Sequence, residues 1–442
     1  MKSMQDVFRI FENDFFEAMR AGSFILNAMT TTFKMLNLTK PCLEAVADLG
    51  FSEPTPIQEQ AIPSGLKNED ILAAAQTGTG KTLAYLLPIF DQMVSFWGSK
   101  RPKKNRGPYA LILSPTRELA QQIAQCAQTI AKVTNFRVAT VIGGKKYSSQ
   151  INKLKQGCDI LIATLGRLID LLDQHALTLN AVHYLVLDEV DRMLDMGFWP
   201  PVYSIVKKTP VKRQTFFFSA TLTPVVLEKA RLLQKNPQRI EISHCGDTAD
   251  TVEEYVMPVM TAQKQSLLVA LLEEKKPSRA IVFTHTKQEA DTCAHLLQKT
   301  GLKADSIHSD KTQAKRDRAL KYFKNGNLEV LVTTDVLARG IDVSDVEMVV
   351  NLSVPDNPED YVHRIGRTGR AGVSGEAYTM LAPEQLLELR EIEYFTESLL
   401  STFDLEGFEY ASGRLIPDPK RPTKKGMRPK GRGGRRLSFR RR

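Results

Sequence analysis

The segment Ala75-Gln-Thr-Gly-Thr-Gly-Lys-Thr82 gathers residue types suited to holding a polyphosphate. Glycines at 78 and 80 let the main chain curl, so that the N–H groups of Thr77, Gly78, Thr79 and Gly80 can converge on phosphate oxygens. Lys81 adds a cation for the β- and γ-phosphates, and the Thr82 hydroxyl suits a magnesium ligand. The first position is Ala75 in place of the usual glycine, but the spacing to Gly80-Lys81-Thr82 is kept. Further along, the apolar run Tyr184–Leu187 ends in a carboxylate pair, Asp188-Glu189. Alone, such a pair would equally suit a solvated helix start. At a strand's C-terminal end, downstream of a phosphate loop, it points to nucleotide hydrolysis. Asp188 would face magnesium through water, and Glu189 would orient or deprotonate the attacking water.

These groups need a scaffold, and the hydrophobic pattern supplies one. Short β-branched runs at Asp70–Ala75, Tyr109–Ser114, Arg137–Ile142, Ile160–Thr164, Tyr184–Asp188 and Thr215–Ser219 alternate with helical stretches such as Leu83–Phe90 and Arg117–Val133. Continuous apolar strands separated by helices predict a parallel α/β sheet covered on both faces. The pattern repeats at Ala280–Thr284, Lys303–His308, Leu328–Thr334, Met348–Leu352 and Gly375–Leu381. Two α/β domains follow, over 33–245 and 252–400, joined by a polar linker at 246–251. A helix is expected over Pro383–Leu400.

The chain has 442 residues and a formal net charge of +10. Thirteen Lys and Arg residues against one Asp fall in 412–442, so the body is near neutral and the end is a cationic arm. Such a block fits a polyanion, most often nucleic acid or acidic lipid. Residues 401–442 are therefore expected to form a basic tail, disordered after about Ala411, either tethering a nucleic acid or simply solubilising the chain. Five scattered cysteines, with no zinc-like spacing, fit a reducing cytoplasm. No apolar run reaches the roughly 20 residues of a membrane span, so no membrane partner is expected. Residues 1–32 mix phenylalanines with acids. They form an extension of unassigned role, either an amphipathic helix or sequence upstream of a start at Met29.

Further strings complete a series. Gly50-Phe-Ser-Glu-Pro-Thr-Pro-Ile-Gln58 lies upstream, with Phe33 before it. Pro115-Thr-Arg-Glu-Leu-Ala120, Gly143-Gly144, Thr164-Leu-Gly-Arg167, Asp188-Glu-Val-Asp191 and Ser219-Ala-Thr221 follow. The second half carries Val282-Phe-Thr284, Gln313 with Arg316, the run Thr333–Asp342 and His363-Arg-Ile-Gly-Arg-Thr-Gly-Arg370. In order and spacing this series resembles the DEAD-box RNA helicases, with Val190 where the box has alanine. The compact core and short basic end resemble the bacterial RhlE-type subgroup.

The resemblance implies two RecA-like domains, with ATP, Mg2+ and RNA bound across the cleft between them. It implies that Gln58 reads the adenine edge and Phe33 packs against the base. A carboxamide can accept from N6 and donate to N7, which agrees. Arg367 and Arg370 resemble arginine fingers, and Asp342 would take a ribose hydroxyl. Asp191, Ser219, Thr221 and His363 would couple nucleotide state to RNA. RNA contacts would come from Arg117, Gly144, Thr164, Gly166 and Arg167 in the first domain and from Thr284, Arg316 and Thr334 in the second. These are small donors, backbone amides and guanidiniums, suited to a sugar–phosphate chain rather than to base readout. The implied activity is RNA-stimulated ATP hydrolysis coupled to local unwinding of short duplexes or remodelling of ribonucleoproteins. Single-stranded or short duplex RNA, and ribosomal or RNA-decay proteins, are the expected partners. An ATP-gated RNA clamp or annealer, and a DNA translocase on the same core, are the alternatives. Leu165, where proline is common, is a second departure from the family pattern.

Overall fold

The structure, a computed structural model, describes residues 31–75, 78–98, 107–242, 252–335, 346–369, 374–423 and 440–441. Two seven-stranded sheets carry the fold. The first comprises β1 (Ile71–Ala74), β2 (Ala110–Ser114), β3 (Val138–Val141), β4 (Ile160–Thr164), β5 (Tyr184–Leu187), β6 (Gln214–Ser219) and β7 (Gln238–Glu241). Its order is β3-β4-β2-β5-β6-β1-β7. The second comprises β8 (Val252–Pro258), β9 (Ala280–Phe283), β10 (Ala304–Ile307), β11 (Val330–Thr333), β12 (Met348–Asn351), β13 (Gly375–Leu381) and β14 (Ser401–Thr402), in the order β10-β11-β9-β12-β13-β8-β14. Strand for strand this is the same topology, and every pairing in both sheets is parallel.

Alternation along each strand feeds two cores, one on each sheet face. Ile112 joins the cluster with Phe90 and Ile123, while its neighbours Leu111 and Leu113 join the one with Leu168 and Met193. In the second domain Val282 and Ile281 part in the same way. Burial on both faces is why these strands read as unbroken apolar runs. Because all strands run the same way, the loops after their C-terminal ends gather along one edge of each sheet, where α/β proteins bind ligands.

Three strands of the two sheets, β7, β8 and β14, lie where none was expected. β7 exposes three of its four residues, and β8 carries Glu253 and Glu254, so neither has an apolar signature. The helix expected over 383–400 is a 3-10 turn, Pro383–Gln385, followed by the helix Leu386–Phe395.

The basic end also needs correcting, because residues 401–423 are part of the second domain. β14 pairs with β8, and Leu405, Phe408 and Tyr410 pack on its core. Arg414 forms a bidentate pair with Asp404 (2.6 and 2.9 Å). Arg421 holds the fully buried Glu393 through Nε at 2.8 and 2.9 Å. Within this segment, Leu415–Ile416 pairs antiparallel with Arg440–Arg441. The rest of the tail, the extension 1–30 and the linker lie outside the described residues. Cys42, Cys126, Cys158 and Cys293 are free thiols. Among the described residues, no helix is long and apolar enough to cross a membrane.

Candidate functional site

A cleft of about 480 Å³ opens at the C-terminal edge of the first sheet, lined among others by Gln58, Gly80, Lys81, Thr82, Asp188 and Glu189. The chain leaves β1, turns through Gly78 (φ +91°) and Gly80 (φ +93°), and enters the helix Lys81–Trp97. Both glycines occupy the left-handed region that other residues adopt only at a cost. A Cβ on Gly80 would also overlap the Gln58 amide and stand 2.8 Å from Thr55 Oγ1. The positive end of the helix, with its free N–H groups, therefore faces the cleft.

Two charged atoms in this cleft are buried and unpartnered: Lys81 Nζ and Asp188 Oδ1. Buried polar atoms are nearly always satisfied, so a facing orphan cation and orphan carboxylate oxygen mark a place built for a ligand. The other Asp188 oxygen accepts from Tyr85 Oη at 2.9 Å. Burial pushes the Asp188 carboxyl up to about 6, against the pull of Lys81. Glu189 has φ +54°. This left-handed residue costs of order 1–3 kcal/mol and lets β5 pass directly into the helix Val190–Asp195. Arg192 donates to Glu189 Oε2 at 3.3 Å. Val190 is buried in the core with Leu187, Met193 and Phe217, so the apolar replacement is accommodated by packing.

Gln58 links two loops. Its Oε1 accepts from Thr55 N–H and its Nε2 donates to Gly80 O, both at 3.0 Å. One N–H and one lone pair remain for a base. Phe33 does not line the cleft. It is 4% exposed and packed in the first-domain core, whereas Phe51, 51% exposed, lines the cleft wall.

The second domain completes the site. Arg367 lines the same cleft as Asp188 and Glu189, and its Nε donates to His363 O at 3.1 Å. The helix Pro358–Ile365 that precedes it is pinned by Arg364, which bonds Asp335 at 2.5 and 2.7 Å and Ser353 O at 2.8 Å. Thr77, Asp342 and Arg370 lie outside the described residues. Of the expected coupling residues, Asp191 accepts from Ala220 N at 2.9 Å, and its own N–H meets Ser219 Oγ at 3.3 Å. The loops after β5 and β6 are thereby tied together. Thr221 Oγ1 is buried without a partner.

The remaining residues form a second face. Gly143 and Gly144 press against the Arg117 guanidinium, and a Cβ on either would lie 2.7 Å from its nitrogens. Arg167 stacks over Tyr147 at 3.9 Å and donates to Lys145 O at 2.9 Å, beside the same glycines. Thr164 occupies the N-cap position of the helix Leu165–Asp173 without a side-chain capping bond, and Gly166 opens to solvent. From the second domain, Gln313 Oε1 accepts from Arg117 Nη1 at 3.1 Å, and Arg316 Nη2 donates to Glu118 Oε1 at 2.5 Å. Gln313 Nε2 also reaches Glu118, at 3.0 Å. Thr284 and Thr334 follow the adjacent strands β9 and β11, and Thr284 N–H bonds Thr333 O at 2.9 Å.

Comparison with known proteins decides the family. Residues 55–230 match the DEAD/DEAH box helicase model and residues 263–372 the helicase conserved C-terminal domain. The chain is 40% identical to the DEAD-box ATP-dependent RNA helicase CshA of Geobacillus kaustophilus, over 83% of this chain and 77% of that one. It is also 40% identical to CshA of Bacillus subtilis, over 84% and 73%. Yeast (S. cerevisiae) Dbp5 bound to RNA and ADP BeF3 superposes with a TM-score of 0.76 at 30% identity, covering 84% of this chain and 95% of that one. Mss116p bound to ssRNA and AMP-PNP gives 0.76 at 28%, covering 86% and 81%.

This chain belongs to the DEAD-box ATP-dependent RNA helicases.

The two relatives carry the CshA name, so they lend no support to the RhlE-type subgroup. Sequence reasoning passed over two helicase residues that the geometry brings forward. Phe51 was visible within the Gly50–Gln58 string, but the upstream Phe33 drew the assignment. Glu118 sits in the Pro115–Ala120 string, yet only the folded chain brings it to Arg316, 198 positions away.

Proposed function

We propose that this helicase hydrolyses ATP in the cleft between its domains and uses closure of that cleft to grip and bend RNA. The observation that carries the reading is the meeting of Lys81, Asp188 and Glu189 of one domain with Arg367 of the other around one cleft. Lys81 would neutralise the β- and γ-phosphates, and Glu189 would orient the attacking water and take its proton. Arg367, with Arg370, would spread over the charge that develops on the transferred phosphoryl group. Gln58 would select adenine, with Phe51 against the base plane and Asp342 on the ribose. Magnesium, when bound, neutralises phosphate charge; the orphan Asp188 Oδ1 and the Thr82 hydroxyl fit it and would hold it.

Because the guanidinium comes from the second domain, turnover needs closure. Arg117, Gly144, Thr164, Gly166 and Arg167 would meet RNA from one side, and Thr284, Arg316 and Thr334 from the other. ATP and RNA then favour the same closed form, and each raises the affinity for the other. Closure would bend one strand and strip a short duplex; hydrolysis would release the grip. Backbone-directed contacts imply little sequence preference. The free thiols support a cytoplasmic setting, where ribosomal or RNA-decay proteins would be met. Lys81→Ala and Glu189→Gln are each expected to abolish turnover while leaving the melting curve in place. Wild-type ATPase in either variant would overturn the assignment.

A further inference from the structure

We propose that the N-terminal segment Ile10–Met19 docks in a basic groove at the base of the first domain, on the sheet edge opposite the ATP cleft. The groove, of about 970 Å³, runs past Asp70, Thr209–Arg213 and Gln234–Asn236. These residues precede β1, β6 and β7, so they lie at the N-terminal ends of strands whose C-terminal ends carry the catalytic loops.

Five cations line it: Lys207, Lys212, Arg213, Arg231 and Lys235. Two acids oppose them, and one of these is consumed. Asp70 accepts from the N–H groups of Thr215 (2.7 Å) and Lys235 (2.9 Å), which leaves Glu69. Lys207 and Arg231 stand in the last turns of their helices, where a cation is favourable in any case. Lys212, Arg213 and Lys235 lie in loops, where no helix end accounts for them, although Arg213 donates to Pro210 O through Nη1 at 2.8 Å and lies near Asp70. Arg213 Nε is buried with no hydrogen-bond partner.

The groove is also apolar. Of the ten large hydrophobic side chains exposed among the described residues, three line it: Tyr203, Val211 (85% exposed) and Leu232 (57%). A sugar–phosphate chain would use the cations and leave these aliphatic groups wet. An acidic, aromatic peptide would use both.

The chain itself contains such a segment. Ile10-Phe-Glu-Asn-Asp-Phe-Phe-Glu-Ala-Met19 places three carboxylates and three phenylalanines in ten residues, with no cation. It is also close enough to reach. The described chain begins at residue 31, and Asn37 shares a cavity with Asn68, which in turn lines the basic groove. A tether of about eleven residues spans up to ~35 Å. At that length the effective concentration is in the millimolar range, so even a weak groove affinity keeps the segment docked.

The test is zero-length carbodiimide cross-linking of the full chain at micromolar concentration, with peptide mapping by mass spectrometry. Glu12, Asp14 or Glu17 should join Lys207, Lys212 or Lys235 in a yield that does not change on tenfold dilution. The double variant Lys212→Glu/Lys235→Glu should lose these links and should be cut by trypsin after Arg20 about tenfold faster, with ATPase unchanged as the folding control. Links only to lysines elsewhere, or no links at all, would overturn the proposal. So would links that vanish on dilution, which mean a second copy, or lysines protected by an added RNA oligonucleotide, which mean a phosphate site.

Discussion

Glu118→Gln should loosen the closed form of this helicase without unfolding either domain. Glu118 Oε1 accepts from Arg316 Nη2 at 2.5 Å and from Gln313 Nε2 at 3.0 Å, across the seam between the domains. Both charged side chains are buried. Removing one partner of a buried pair costs about 3–5 kcal/mol when the other must stay buried. Here Arg316 sits on a separable domain and regains water when the cleft opens. The cost therefore falls on the closed form alone. Glutamine keeps an acceptor, so about 2 kcal/mol, or roughly thirtyfold in the closed-to-open ratio, is a reasonable magnitude. Interdomain energy transfer between a dye on each domain, with ATP analogue and RNA, reads that ratio. Half-saturating RNA in the ATPase assay should rise by a similar factor while the melting temperature holds. The opposite result is informative. If Glu118 only competes with RNA for Arg316, the variant would bind RNA more tightly and close as before, and the seam would be no clamp.

Two further outcomes follow from packing. Val190→Ala, which restores the family's residue, removes two buried methyl groups and should cost about 2 kcal/mol, read as a lower melting temperature. The ATPase should survive, and a change above tenfold would mean that Val190 positions the flanking carboxylates. Arg421→Ala leaves Glu393 buried with Arg390 as its remaining charged partner, and should destabilise the second domain by about 3 kcal/mol. An unchanged thermal or urea transition would show that residues 401–423 do not belong to that domain's cooperative unit.

How much of this was legible in the sequence depended on how local the signal was. β4 and β13 came through residue for residue, because their apolar runs are bounded by polar turns. β7 buries one side chain in four, and β8 carries the adjacent acids Glu253 and Glu254 near its start, at a sheet position that only tertiary pairing reveals. Arg414 and Arg421 read as tail charge because their partners, Asp404 and Glu393, lie 10 and 28 positions away. At the site, the phosphate loop and Asp188-Glu189 were readable because strand ends and glycines fix them locally. Phe33 was misplaced at the cleft because spacing does not say which way a ring points; its ring is core, and Phe51 takes the wall. The Glu118–Arg316 seam joins two domains and has no local trace.

The most direct test of the account is steady-state ATP hydrolysis with magnesium, measured without nucleic acid, with single-stranded RNA and with DNA of matched sequence. RNA on both sides of a cleft whose Arg367 comes from the second domain should raise turnover strongly, while matched DNA should leave it near the basal rate. Equal stimulation by DNA would favour a translocase on the same core. No hydrolysis under any condition would contradict the reading of Lys81, Glu189 and Arg367 as a working catalytic set.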